Sequence, residues 1–153
     1  MQHRPIQPQP PLSRRLAEAA ALAPSPRRIL VSGPDARMRL VLASLLRAEG
    51  HQVVHASDAP ELLDHVARSL SSPPWHSPVD AVVLDARHDD GDLALLAALR
   101  EQDWVTPVIV VVSRGNYPAM EEARRLGAAL VLPMPLDPDD LRDGLLAVVQ
   151  PPQ

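Results

Sequence analysis

The chain has 153 residues, 46% hydrophobic and 22% charged, the balance of a globular protein with room for one domain and a real core. It contains no Cys, which excludes a disulfide framework, a thiol nucleophile and every thiolate metal site. Its net charge of −4 gives no case for nucleic-acid binding, and all 15 basic residues are Arg, so no side chain can supply an ammonium group.

Residues 1–27 read as a flexible tail rich in Pro and Arg: Pro5, Pro8, Pro10, Pro11, Pro24 and Pro26 favour extended backbone, with a short helix expected over Ser13–Ala23. The tail suits either a plain linker or a docking peptide. Five Arg against Glu18 make residues 1–28 basic and leave the remainder near −8. The apolar stretch Leu16–Ala23 is interrupted by Glu18 and makes a poor signal-peptide core. No run approaches the roughly 18 apolar residues of a membrane span. A soluble, cytoplasmic protein is expected.

From residue 28 to 150, strands and helices alternate. Ile29-Leu30-Val31 predicts a strand, broken by Gly33-Pro34-Asp35. Leu40, Leu42, Leu45 and Leu46 then predict a helix that Gly50 ends. Val53-Val54 is a second strand, and Leu62, Leu63, Val66 and Leu70 a second helix. Ser71–Pro78, with three prolines and Trp75, is an unusually long loop. Ala81–Leu84 is strand three, ending at Asp85, and Leu93–Leu99 lies within helix three.

Val108–Val112 is the most strongly β-forming run. Met120–Leu126 predicts a helix closed by Gly127, and Leu130-Val131-Leu132 a fifth strand. Asp137 as N-cap, Pro138 at the first helical position and Leu136 spaced to meet Leu141 mark the last helix. Residues 151–153 are a C-terminal tail. Five βα units with apolar strands imply an α/β, doubly wound, five-stranded parallel sheet of the flavodoxin-like kind.

This (βα)5 plan resembles the receiver domain of bacterial two-component response regulators over residues 28–150. The cues are Ile29-Leu30-Val31, Ala48-Glu49-Gly50-His51, Val79-Asp80-Ala81-Val82-Val83-Leu84-Asp85, Asp90-Gly91, Pro107-Val108-Ile109-Val110, Gly127-Ala128 and Met134-Pro135. The resemblance implies that Asp85 matches the phosphoacceptor at the end of strand three. It also implies two magnesium-binding acids after strand one, a hydroxyl ending strand four, and a Lys-Pro pair after strand five.

Those positions here read Gly33 and Pro34, Val112, and Met134 before Pro135. Asp35 stands one step beyond the missing acids, either to reach a cation or to cap the following helix. Ser113 follows Val112, and a one-residue slip would restore the hydroxyl while inverting every side chain on the strand. The aromatic switch position reads Val131. The loop Ala86-Arg87-His88-Asp89-Asp90-Gly91 is about two residues shorter than the family's. Pro135 retains the proline used there in a cis peptide.

A carboxylate attacks phosphorus only when a cation neutralises the incoming oxygens. With that machinery replaced, the chain reads as a degenerate or pseudo-receiver: a stand-alone signalling module without an appended DNA-binding domain. It is expected to act by phosphorylation-independent contact with a protein partner, a histidine kinase or another signalling protein, and not as an enzyme. A homodimer is open, and no nucleic acid, membrane, metal or cofactor is expected.

One alternative is a working response regulator phosphorylated on Asp85 with magnesium, Asp35, Ser113 or Arg114 filling in. Another is a small-molecule sensor whose vacated pocket is lined by Gly33, Pro34, Val112 and Met134 and takes a ligand less polar than phosphate. Partner contact is assigned, from the resemblance, to Tyr117, Glu121, Arg124, Arg125 and Arg142. His88, Asp89, Asp90 and Asp92 suit either a cation or a solvated, helix-capping loop. His51 and His55, four apart on one expected strand, suit either a metal pair or ordinary surface positions.

Overall fold

The computed structural model describes residues 11–14, 27–71, 79–88, 90–103 and 105–149. Residues 12–14 are helical; the rest of the helix expected over Ser13–Ala23, and most of the Ser71–Pro78 loop, lie outside the described residues.

Five strands form one parallel sheet: β1 (Arg28–Ser32), β2 (Gln52–Ala56), β3 (Ala81–Asp85), β4 (Val108–Val112) and β5 (Leu130–Pro133), in the order β2-β1-β3-β4-β5. Each is followed by a helix: α1 (Ala36–Ala48), α2 (Ala59–Ser71), α3 (Asp90–Gln102), α4 (Tyr117–Arg125) and α5 (Pro138–Val148). The central strands β3 and β4 are buried at every position, which explains their unbroken apolar runs. Helices on both faces exclude water from them. This is the doubly wound plan expected from the pattern.

Two cores result. On one face Leu30, Val82, Leu84 and Val110 meet Leu62 and Val66 of α2, Leu96 and Leu99 of α3, and Ala123 of α4. On the other, Val31, Val83, Ile109 and Val111 meet Leu42 and Leu46 of α1 and Leu141 and Leu145 of α5. Alternation along each strand divides its side chains between the two cores.

Capping sets where the helices begin. Asp35 caps α1, accepting from the N–H groups of Arg37 and Met38. Asp137 caps α5 through the Asp139 N–H at 2.8 Å, with Pro138 at its start. Asn116 caps α4 through the Ala119 N–H, so that helix begins at Tyr117, three residues before the expected Met120. Gly50 and Gly127, at φ of 87° and 93°, supply the left-handed residue after α1 and α4.

Strand β2 begins at Gln52, so His51 is not on the strand with His55. Its Nδ1 instead accepts the Arg27 N–H at 3.1 Å, which ties the entry to β1 against the entry to β2. Among the described residues no three His, Asp or Glu side chains gather in a way that could hold a metal ion. Nor is any helix among them long and apolar enough to cross a membrane.

Candidate functional site

Strand β3 carries Asp85 to the carboxyl edge of the sheet, paired in register with Val111 of β4. There its side chain is 1% exposed. A buried carboxylate needs a cation or several donors, because desolvation penalises the unpaired charge.

The cation is Arg87, two residues on. Its Nε donates to Asp85 Oδ1 at 2.7 Å and its terminal NH2 group to Oδ2 at 2.9 Å, a two-pronged fork across the carboxylate. The Arg87 backbone N–H also donates to Oδ1, at 3.3 Å. The same guanidinium reaches Asp35 Oδ2 at 3.2 Å, bridging the loops that follow β3 and β1. His88 places Nε2 3.4 Å from Asp85 Oδ2.

These contacts leave their mark on titration. The hydrogen bonds to Asp85 raise Arg87 above its ordinary value, partly opposed by burial, with the Asp85 charge and Asp35 adding to the rise. Asp35 is lowered, first by the Met38 N–H, against some desolvation, and then by Arg87 and the Arg37 N–H. The guanidinium is therefore charged throughout the physiological range, and Asp35 is ionised beside it.

Glycine at position 33 permits this arrangement. A Cβ on Gly33 would lie 2.8 Å from the Asp85 Cβ, closer than real Cβ atoms approach one another. The loop after β1 thus closes on Asp85 at a place where an acidic side chain would collide. Pro34 offers no side-chain oxygen, and Asp35 is committed to the α1 cap and to Arg87. A hard cation demanding several carboxylate and water oxygens does not fit these residues. In the cluster expected around His88, the His88 N–H donates to Asp92 Oδ2 at 3.1 Å, a turn-closing contact at the start of α3. Asp89 lies outside the described residues.

The remaining expected positions separate. Val112 stays in register opposite Pro133 and is fully buried, so β4 has not slipped. Ser113 follows the strand, and its hydroxyl donates to the Arg87 carbonyl at 3.3 Å, bracing the loop that carries the guanidinium. Met134 packs with Leu136 against the α1/α5 core, and its peptide bond to Pro135 is cis. Arg114 is exposed on the loop after β4.

A cavity of about 260 Å³ adjoins Asp85, lined in part by Gly33 and Pro34. Val112 and Met134 are not in its wall. Of the four residues expected to line a pocket, Gly33 and Pro34 border this cavity, while Val112 and Met134 pack against the two cores.

Tyr117, Glu121, Arg124 and Arg125 are exposed on α4, at spacings that put them on one helix face. Tyr117 is 71% exposed. Arg125 pairs with Glu122. Arg142 stands on α5. It pairs with Asp139 and Asp143 there and lines a cleft against Glu49 and His51 at the end of α1.

Arg87 is the site residue that sequence reasoning missed. It lies in the loop Ala86–Gly91, whereas the expectation placed a substitute group at Arg114. The available signal was the deficit itself: with the acids and the Lys gone, a buried Asp85 requires a replacement cation, and Arg87 is the nearest in the chain.

A family model for the response regulator receiver domain matches residues 29–146. The transcriptional regulatory protein PdtaR of Mycobacterium tuberculosis is 31% identical over 117 residues, which are 76% of this chain and 53% of that protein. The chain thus spans about half the length of that relative. The acid tolerance regulatory protein ActR of Rhizobium meliloti is 31% identical over 144 residues, 94% of this chain and 68% of that one. In fold, the chain is similar to a response regulator receiver domain protein from Clostridium thermocellum, with a TM-score of 0.69 at 22% identity over 80% of this chain and 94% of that one.

Proposed function

This chain belongs to the response regulator receiver domain family, and from that premise we propose that it signals without being phosphorylated, through contact with a protein partner. The observation that carries the reading is the Arg87 fork on Asp85.

Phosphoryl transfer to Asp85 would require one of its oxygens to attack phosphorus while a cation screens the incoming phosphoryl oxygens. Both Asp85 oxygens instead bind Arg87, and the guanidinium is itself shared with Asp35. The attacking group would have to leave its ion pair inside a buried site, which raises the barrier. Gly33, Pro34, Val112 and Met134 offer no compensating oxygen, hydroxyl or ammonium. The internal salt bridge does for the fold what metal and phosphate would otherwise do: it joins the β1 and β3 loops in one fixed arrangement.

Such a domain presents a constant surface to its partner, a histidine kinase or another signalling protein. The exposed α4 face with Tyr117, Glu121, Arg124 and Arg125 suits that contact: an aromatic anchor among charges of both signs.

The test is intact mass spectrometry of the purified chain after incubation with acetyl phosphate and magnesium. The expected result is an unchanged mass. A stoichiometric phosphoryl adduct that disappears in Asp85→Asn would overturn the reading.

A further inference from the structure

The cavity beside Asp85 takes no part in the function proposed above. In a sheet ordered β2-β1-β3-β4-β5, the chain reverses its direction of winding between β1 and β3. Open α/β sheets hold ligands outside the carboxyl ends of their strands at that point. The cavity lies there, bounded by the end of β1 and the starts of α2 and α3.

Its lining divides by chemistry. Leu84 and Leu95 make an apolar wall, while Ser32, Ser57, Asp58 and Asp92 bring hydroxyls and carboxylates. Among the described residues no Arg or His lines it, and its charged lining residues are Asp58, Asp85 and Asp92. One carboxylate oxygen of Asp58 caps α2 through the Glu61 N–H at 2.9 Å, which fixes that side chain in place.

Ser32 supplies a separate indication. It is 1% exposed, and its hydroxyl has no hydrogen-bond partner. Alternation along β1 puts it on the face of Leu30, the face covered by α2 and α3, where the cavity opens. A buried hydroxyl left without a partner is a standing cost that a bound polar group would relieve.

We propose that this cavity binds a small organic cation: an amine whose ammonium group is held by Asp58, Asp92 and the Ser32 hydroxyl, with a short apolar body against Leu84 and Leu95. An anion would meet like charge from Asp58 and Asp92. A metal ion would lack the required donor set, since no three acidic or His side chains among the described residues are arranged to hold one. A volume of about 260 Å³ sits just below the usual range for drug-sized ligands and suits a molecule of a few carbons. Binding here does not depend on whether Asp85 is ever phosphorylated.

The test uses the full chain, labelled with nitrogen-15, and three five-carbon probes: pentylammonium, 1-pentanol and pentanoate. Pentylammonium is expected to shift the backbone amides of Ser32, Ser57 and Gly91 saturably, with 1-pentanol about tenfold weaker, the loss of one charged contact, and pentanoate silent. Ser32→Ala removes only an unsatisfied hydroxyl, and Asp58→Asn retains the α2 cap, so both variants keep the fold. Each is expected to weaken pentylammonium binding several-fold. The proposal is overturned if pentylammonium gives no saturable shift, if pentanol or pentanoate binds as well, or if both variants bind pentylammonium like the parent chain.

Discussion

Asp85 is 1% exposed and shares both its oxygens with Arg87, so the two residues stand or fall together. Removing the Arg87 side chain leaves a buried carboxylate with only the residue 87 N–H and His88 nearby. We expect Arg87→Ala to destabilise the chain by about 3 kcal/mol, read from urea unfolding. Adding Asp85→Asn to that variant should recover part of the loss, because the stranded charge is gone, and the coupling in the double-mutant cycle should be about 1–3 kcal/mol. Gly33 belongs to the same unit. Gly33→Ala pushes a methyl against the Asp85 Cβ and should cost about 1–3 kcal/mol. For the same reason, Gly33→Asp should not create a magnesium site. At this scale the sequence located Asp85 and each substituted position around it. It did not reveal the fork, because which Arg reaches a carboxylate depends on the path of a loop, and Arg87 and Arg114 both follow strands at the same edge of the sheet.

Helix ends are most legible in the sequence where a capping residue stands beside the apolar pattern. Asp137, Pro138 and the Leu136/Leu141 spacing announced α5 as it stands. α4 begins three residues before its apolar periodicity does, because Asn116, its cap, precedes that periodicity rather than belonging to it. β2 was legible as a strand, but its first residue was not, and His51 lies just outside it. That difference has a consequence in pH. Burial holds His51 below its ordinary value of 6.5, with Glu49 and Asp80 opposing and Arg27 reinforcing the shift. The unfolded chain therefore takes up the proton first as pH falls. Stability from the neutral imidazole is complete above the unfolded value and declines as pH drops from about 6.5 toward the lower folded value. Thermal midpoints should fall between about pH 7.5 and about 5.5, and His51→Gln should reduce that fall. Some slope will remain from His55, which burial also lowers.

Across the whole molecule, alternating apolar strands and amphipathic helices sufficed to specify the two-faced parallel sheet, since burial on both faces imposes that pattern on β3 and β4. Local patterning could not specify which distant groups meet at the carboxyl edge of that sheet. Arg142 of α5 meets a cleft with Glu49 and His51 at the end of α1. Val112 and Met134 matched an expected pocket, yet they pack into opposite cores. The central claim is that Arg87 holds the place at Asp85 that a metal ion holds in a phosphorylated receiver. Side-chain NMR of the arginine Nε–Hε groups, followed during titration with millimolar magnesium and beryllofluoride, tests it directly. The Arg87 signal should be well dispersed, protected from solvent exchange and unchanged throughout. Its collapse to the position of a solvated arginine, saturating with added magnesium and absent in Asp85→Asn, would contradict the account.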